Sequence, residues 1–488
     1  MAELTVRQNG RERRVPFTGT PTLDEVLTGA GLTLPHPCGG RGQCRKCAVT
    51  LTGAVSAPNA AETAAGCRLS CQAVLLGDAA VTLPDAPQSM RIETETGEPL
   101  ASACPMPGAC GVAVDIGTTT LAVKLYDLAD GRCIGTAAAG NPQAAVAADV
   151  MGRIGAALSG ALPRLQTQVQ DALAELCRRA SAGRHIRPDS AVITGNTTML
   201  YLLTGRDPSC LSCAPFIADT RFDTLCTAGG VTAYLPPCMD AFVGADITCA
   251  VLASGIIDRP DTALLCDIGT NGELALWHEG RLYVTSTAAG PAFEGAGISC
   301  GCGSVSGAID RVRAENGRLE IHTIDDAPAV GVCGSGLIDA VAAALSLGWI
   351  DGTGAVDDDL PLAPGVSLTQ ADIRAVQVAK AAIAAGTDIL LETAGITADR
   401  VTDLAIAGGF GSHLSVASAA AIGLLPESPA AHARVLGNAA LTGAARVLLD
   451  TRQQEALRAV AAAAVPVHLG GNPRFNERYI DRMLFSEE

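Results

Sequence analysis

In Cys110-Gly-Val-Ala-Val-Asp115-Ile-Gly-Thr-Thr-Thr120-Leu-Ala-Val-Lys-Leu-Tyr126, two apolar runs flank a short polar centre. Each run has the pattern of a buried strand, so the six residues from Asp115 to Thr120 turn a tight hairpin between them. Asp115 ends the first strand, Gly117 lets the backbone come close, and the hydroxyls of Thr118, Thr119 and Thr120 follow. Backbone N–H groups and hydroxyls at such a turn donate to phosphate oxygens, while the carboxylate holds Mg²⁺ through water. Taken alone, Asp-x-Gly-Thr is equally an ordinary hairpin turn.

The phrase returns in Leu264-Leu-Cys-Asp267-Ile-Gly-Thr-Asn-Gly-Glu-Leu-Ala-Leu-Trp277, with Asp267, Gly269, Thr270 and Asn271 between two apolar runs. Internal repetition of this kind predicts two related lobes that offer one hairpin each to a shared cleft. A third piece, Leu404-Ala-Ile-Ala-Gly-Gly-Phe-Gly411, is a buried-strand pattern ending in glycines. No side chain at Gly408 or Gly409 would obstruct a flat ring against the backbone. The three pieces resemble the phosphate-1, phosphate-2 and adenosine motifs of the acetate kinase, sugar kinase, Hsp70 and actin superfamily. That resemblance implies a two-lobed, ribonuclease H-like ATPase binding ATP. In it, Gly117, Thr118, Thr119, Gly269, Thr270 and Asn271 cradle phosphates, and Gly408 and Gly409 meet the adenosine. Asp115 and Asp267 are the expected catalytic carboxylates, serving Mg²⁺ and water positioning.

The chain has 488 residues, enough for about three domains, with only 3% aromatic residues, so its cores must rest on Ala, Val, Leu and Ile. A net charge of −16 argues against nucleic acid or an anionic membrane as partner. No apolar run reaches the ~18 residues of a membrane span. Met1-Ala-Glu-Leu-Thr-Val6 lacks the basic and apolar regions of a signal peptide, which gives a cytoplasmic expectation. Eighteen cysteines spread through so long a chain fit reduced thiols plus a metal cluster.

The cluster candidate lies near the N-terminus. Two short strands joined at Asn9-Gly10, and a short helix from Thr22 to Ala30, precede Cys38-Gly-Gly-Arg-Gly-Gln-Cys44-Arg-Lys-Cys47. Its glycines permit the turns that let several thiolates converge. A strand, Ala48–Thr52, follows, and Cys71 supplies a fourth sulfur. The spacing C-x5-C-x2-C is one residue longer in its first gap than the plant type and resembles adrenodoxin-type 2Fe–2S ferredoxins, with a β-grasp fold. A structural zinc at four cysteines is the alternative. Cys67 competes for the fourth position, but Arg68-Leu-Ser-Cys-Gln72 resembles the final-ligand segment of these ferredoxins and favours Cys71.

The expected domains are a ferredoxin-like 1–86, a Pro-, Gly- and acid-rich linker 87–109, a first ATPase lobe 110–258 and a second lobe 259–488. Within them, Ala144 to Ala182 reads as two helices broken at Pro163, and Asn196 as the cap of a helix after the strand Ala191–Gly195. Asp246 is either a second cleft carboxylate or an N-cap, with the cap favoured. Cys300 and Cys302 read as free thiols. Gly334, where a glycine turn enters a helix, faces a phosphate or serves close packing. Thr369 and Asp372 open a helix to Ala385, helical segments are expected after Gly409, and His413 is structural or ring-lining.

A 2Fe–2S ferredoxin domain, a linker and a repeated Asp-Ile-Gly-Thr ATPase together resemble the reductive activators of corrinoid-dependent methyltransferases and corrinoid iron–sulfur proteins. The likeness is carried by Cys38, Cys44, Cys47 and Cys71, both Asp-Ile-Gly-Thr hairpins, Gly290-Pro-Ala-Phe-Glu-Gly295 and Ala407-Gly-Gly-Phe-Gly411. Cys302-Gly-Ser-Val305 departs from the pattern expected there. The resemblance implies one-electron reduction of Co(II) to Co(I) on a partner corrinoid protein of a methyltransferase system, with ATP driving the step. An upstream low-potential electron donor is implied as well, and a second copy of the chain stays open as a partner. Rival readings are a small-molecule kinase with an attached ferredoxin, an activator of another low-potential metalloenzyme such as a 2-hydroxyacyl-CoA dehydratase, and an actin-like interaction module.

Overall fold

Alternation of apolar and polar side chains sets the first hairpin, in which Leu4, Val6 and Phe17 are buried while Glu3, Arg7 and Pro16 are exposed. The computed structural model describes residues 2–8, 10–32, 34, 40, 42, 47–83, 100, 102–182, 184, 186–409, 414–430 and 432–485. The chain divides into two compact units, Met1–Ser89 with Pro142–Ala156, and Met90–Asn141 with Ala157–Glu488.

In the first unit, β1 (Ala2–Gln8) and β2 (Arg11–Phe17) pair antiparallel, then α1 (Leu23–Gly29) turns Leu23, Val26 and Leu27 inward. Thr22 and Glu25 cap α1 reciprocally. β3 (Ala48–Val55), α2 (Ala60–Ala65), β4 (Arg68–Leu69) and β5 (Leu75–Thr82) complete a sheet of order β2-β1-β5-β3-β4, with β1 parallel to β5. This is the β-grasp arrangement expected of a ferredoxin domain. Glu62 of α2 fastens the segment leading to Cys71: its carboxylate accepts from Arg68 Nε at 2.9 Å, Leu69 N at 3.0 Å and Asn59 N at 3.1 Å. Desolvation pushes its pKa up, but the Leu69 N–H and the Arg68 guanidinium outweigh that and leave it lowered. Glu62→Ala leaves Arg68 without its carboxylate in a largely buried site and is expected to cost about 3 kcal/mol. Thermal melts and the yield of reconstituted chromophore in the full chain check this; an unchanged melt contradicts it.

The second unit builds one motif twice. β6 (Cys110–Ile116), β7 (Thr120–Asp127) and β8 (Cys133–Gly140) form an antiparallel meander. Of the helices that follow, α3 (Val150–Ala156) belongs to the first unit and α4 (Leu162–Ala180) to the second. The break between them falls at Gly160, with φ of 96°, and Pro163 sits in the first turn of α4, where its missing N–H is harmless. β9 (Ser190–Gly195) lies parallel to β6, and α5 (Thr197–Thr204) is capped by Asn196, whose side chain accepts from Met199 N. β10 (Thr224–Ala228), β11 (Val231–Leu235) and α6 (Ala245–Ser254) finish the lobe, with sheet order β10-β11-β9-β6-β7-β8.

The second meander is β12 (Thr262–Ile268), β13 (Gly272–His278) and β14 (Arg281–Thr287). Between it and its parallel partner come β15 (Ala308–Glu315), β16 (Arg318–Thr323), β17 (Gly331–Val332), α7 (Gly334–Ser346), β18 (Leu360–Ala363), β19 (Val366–Leu368) and α8 (Gln370–Ala394). The Thr369–Asp372 capping box opens α8 as expected, but the helix continues past Ala385 to Ala394, because no breaker interrupts its buried apolar face. β20 (Val401–Ala407) pairs parallel with β12. After α9 (Val416–Ala421) and α10 (Glu427–Ala430) come β21 (Ala433–Gly437), α11 (Ala439–Leu449), α12 (Gln453–Ala463), β22 (Ala464–Pro466) and α13 (Pro473–Asp481). The sheet order is β21-β20-β12-β13-β14-β22. β21 and β22 correct the expectation of helix alone beyond Gly409; five and three residues long, they carry no alternation that a sequence pattern can register.

α11 crosses back to the first lobe, where Leu441, Ala444 and Leu448 pack with Ala113, Val192 and Tyr234. The later part of the expected linker runs along it: Ala103 N donates to Leu449 O at 3.1 Å, Met106 N to Leu448 O at 2.9 Å, and the Met106 side chain is buried. The earlier part, 87–99, lies outside the described residues. Among the described residues no helix is long and apolar enough to cross a membrane.

Candidate functional site

The two hairpins of the second unit end their strands at matching points. β6 stops at Ile116 and β7 starts at Thr120, so Gly117, Thr118 and Thr119 form the loop; Gly269, Thr270 and Asn271 do the same between β12 and β13. Gly117 N donates to Thr120 O at 2.9 Å, and a Cβ there would stand 2.7 Å from that oxygen, so the turn requires glycine. The loops meet across the cleft, where the hydroxyls of Thr119 and Thr270 are 2.7 Å apart. Thr118 Oγ1 accepts from Asn196 Nδ2 at 3.1 Å, which ties its hairpin to the cap of α5.

Five carboxylates line this cleft. Asp115 and Asp267 are the next-to-last residues of β6 and β12, at matching positions of the repeat. Asp246 lies in the first turn of α6, and Gly244, not Asp246, is the cap. A Cβ at Gly244 would fall 2.4 Å from Asn196 Cα, so bare backbone brings α6 up to the β9–α5 junction and carries Asp246 into the cleft. The sequence preference for a capping role at Asp246 is therefore wrong. Glu273 on β13 and Glu294 after Gly290 belong to stretches that carry the family resemblance but were given no role from the sequence; their signal was an acidic residue inside an otherwise apolar strand and one beside a glycine loop.

Desolvation raises all five. Asp115 reaches about 6, eased by a hydrogen bond from Asn438. Asp267 reaches about 7 by desolvation and the charge of Asp115. Asp246 reaches about 8 by desolvation, then Asp115. Glu273 is raised by desolvation and then by Asp246 and Asp267. Glu294 is raised by desolvation, although Thr119 and Thr270 pull it down. It accepts from Thr270 N at 3.1 Å and Thr270 Oγ1 at 2.8 Å, fixing the second hairpin.

Acids whose folded pKa exceeds the unfolded one hold protons that the unfolded chain has lost, so their contribution to stability falls as pH rises from about 4 through about 8. Asp246→Asn removes one repelling charge, and its thermal midpoint is expected to exceed wild type at pH 8 and to converge with it near pH 5. A gap that is equal at both pH values contradicts the prediction.

Asp115, Asp246 and Asp267 suit a hard cation by donor type. Among the described residues, however, no three His, Cys, Asp or Glu side chains converge to ligate one metal ion. Gly408 has φ of 121°, and a Cβ would lie 2.2 Å from Ile268 O, so glycine is needed there for the backbone itself; at Gly409 the space is open. Gly334 is likewise explained by contact, since a Cβ would lie 1.9 Å from Phe293 O. His413 and Gly411 lie outside the described residues.

In the first unit, Cys47 is buried at the head of β3, Cys71 follows β4, and their Sγ atoms are 3.3 Å apart. Neither is in a disulfide, and neither are Cys67, Cys300 and Cys302. Gln72, the residue after Cys71, donates from Nε2 to Gly40 O. Two thiols at that separation fit ligation of one iron, the donor set a 2Fe–2S cluster demands. Cys38 and Cys44 lie outside the described residues.

Comparison with known proteins adds three matches along the chain: the 2Fe-2S iron-sulfur cluster binding domain over residues 6–76, the RACo middle region over 110–259, and the C-terminal domain of RACo, the ASKHA domain, over 261–488. The chain is 33% identical over 422 residues to the corrinoid activation enzyme RamQ of Eubacterium limosum, spanning 77% of this chain and 70% of that protein. It is 29% identical over 276 residues to the [Co(II) methylated amine-specific corrinoid protein] reductase of Methanosarcina barkeri, spanning 51% of each. A solved structure, the reductive activator for corrinoid,iron-sulfur protein, superposes with a TM-score of 0.72 at 25% identity, over 99% of this chain and 98% of that one.

Proposed function

Since the chain belongs to the family of RACo-type reductive activators of corrinoid proteins, we propose that it returns the cobalt of a partner corrinoid protein from Co(II) to Co(I) in an ATP-dependent, one-electron step. The observation that carries this reading is the presence, on one polypeptide, of the Cys47–Cys71 thiol pair and of two facing Asp-Ile-Gly-Thr hairpins. A 2Fe–2S cluster held by these thiols would supply the electron; plant-type clusters lie at about −400 mV, and each ~59 mV by which cobalt lies lower makes the equilibrium tenfold less favourable, a deficit that ATP would offset.

The chain's own residues divide the work. Cys38, Cys44, Cys47 and Cys71 hold the cluster, and Glu62 keeps the Arg68–Gln72 segment in place behind the last of them. Thr118, Thr119, Thr270 and the backbone of both loops receive phosphate oxygens, with Gly409 beside the adenosine. Asp115 and Asp267 would hold, through water, the Mg²⁺ whose charge offsets the phosphates. Nucleotide phosphates must exchange the Thr119–Thr270 hydroxyl bond for bonds to themselves, so binding acts directly on the contact between lobes. An upstream low-potential donor refills the cluster, and the chain acts as a monomer or a homodimer.

The test is ADP release under anaerobic conditions, measured with a Co(II) corrinoid protein and with a panel of sugars and short-chain acids. Stimulation by the corrinoid protein alone supports the reading. Stimulation by a small hydroxyl or carboxyl compound, with a phosphorylated product, would replace it with a kinase.

A further inference from the structure

Asn438 stands where the chain leaves the second-lobe sheet at Gly437 and enters α11, which packs on the first lobe. We propose that the Gly437–Asn438 junction couples the Gly408 turn to the carboxylate of Asp115, which makes Asn438 a positioning residue for the nucleotide cleft; the proposal rests on the nucleotide-binding reading above.

Three hydrogen bonds converge there. Gly408 N donates to Gly437 O at 3.0 Å, so the turn beside the expected adenosine position is pinned to the residue before Asn438. Asn438 Oδ1 accepts from Leu441 N at 2.7 Å, capping α11. Its Nδ2 donates to Asp115 Oδ2 at 2.8 Å. The cap decides the orientation of the amide: an oxygen must face the Leu441 N–H, so the NH₂ must face Asp115. Gly437 has φ of 62°, a conformation that suits glycine and aims the next side chain at the first lobe. Behind the junction α11 packs closely on α6, since a Cβ at Gly443 would lie 2.1 Å from Cys249 O. Asp246 lies in the first turn of α6, and its charge acts on the Asp115 that Asn438 contacts. The Gly408 turn is thus linked to Asp115 through two hydrogen bonds and the Asn438 side chain.

The test separates the cap from the donor. Asn438→Ser keeps a side-chain oxygen for Leu441 N and loses the NH₂; Asn438→Asp keeps cap and size and turns a donor into an acceptor facing Asp115. Asn438→Ser is expected to fold with a thermal midpoint within about 3 °C of wild type, whereas Asn438→Asp, which sets a second carboxylate against Asp115, is expected to melt lower at pH 8 and to recover toward pH 5. Binding of a fluorescent ADP analogue without divalent cation should change less than about twofold, while the Mg²⁺ concentration that half-saturates its tightening should rise about tenfold or more, further for Asn438→Asp than for Asn438→Ser. An unchanged Mg²⁺ half-saturation in both variants overturns the proposal, as does equal weakening with and without Mg²⁺. The readout is nucleotide binding, so a wild-type protein that failed to reduce cobalt would remove the functional reading and leave this inference to be decided on its own.

Discussion

Cys71→Ala is expected to abolish cobalt reduction and most of the visible absorption while nucleotide affinity stays within about twofold of wild type, because both nucleotide hairpins belong to the other compact unit. Cys71 is half-buried, 3.3 Å from Cys47 Sγ, on a segment that Glu62 fastens from behind. Removing one thiolate leaves three ligands for a cluster that needs four. Cys67→Ala is the matched control: Cys67 lies four residues earlier, its N–H bonds to Glu62 O at 3.3 Å, and its loss should leave the chromophore intact. The reverse outcome, colour lost with Cys67 and kept with Cys71, would move the fourth ligand and undo the assignment made from the Arg68–Gln72 context.

The second large effect concerns the repeat. Asp267→Asn is expected to lower ATP-driven cobalt reduction by about 10²–10³-fold, the range seen when a preorganised electrostatic group is removed from an active site. Its cluster absorption should be unchanged. Its thermal midpoint at pH 8 should rise, because desolvation and the charge of Asp115 already hold Asp267 near about 7. Activity and stability moving in opposite directions is the mark of a carboxylate kept for function. A variant that lost both together would make Asp267 a structural residue.

The repeat and its partners were legible because each rests on local chemistry. Asp115 and Asp267 end apolar runs before a glycine turn, and Thr22, Asn196 and Thr369 each begin a helix with a capping side chain. What was not legible depends on residues far apart in sequence. Asp246 resembled a cap because Asp often is one; only the close approach of Gly244 to Asn196 shows that the helix start is glycine and the carboxylate faces the cleft. Gly334 and Gly408 looked like ligand-facing glycines, yet the carbonyls of Phe293 and Ile268 explain both by contact. Asn438 carried no signal at all, since its bond to Asp115 spans more than three hundred residues of sequence.

The decisive measurement follows from those two halves of the molecule. Fully reduced protein is mixed anaerobically with a Co(II) corrinoid protein, and Co(I) is followed by its visible absorption with and without Mg-ATP. Co(I) should form with Mg-ATP and reach only a small fraction of that extent without it. Equal formation in the two samples, or none in either across corrinoid proteins from several methyltransferase systems, would contradict a nucleotide-driven electron transfer by this chain.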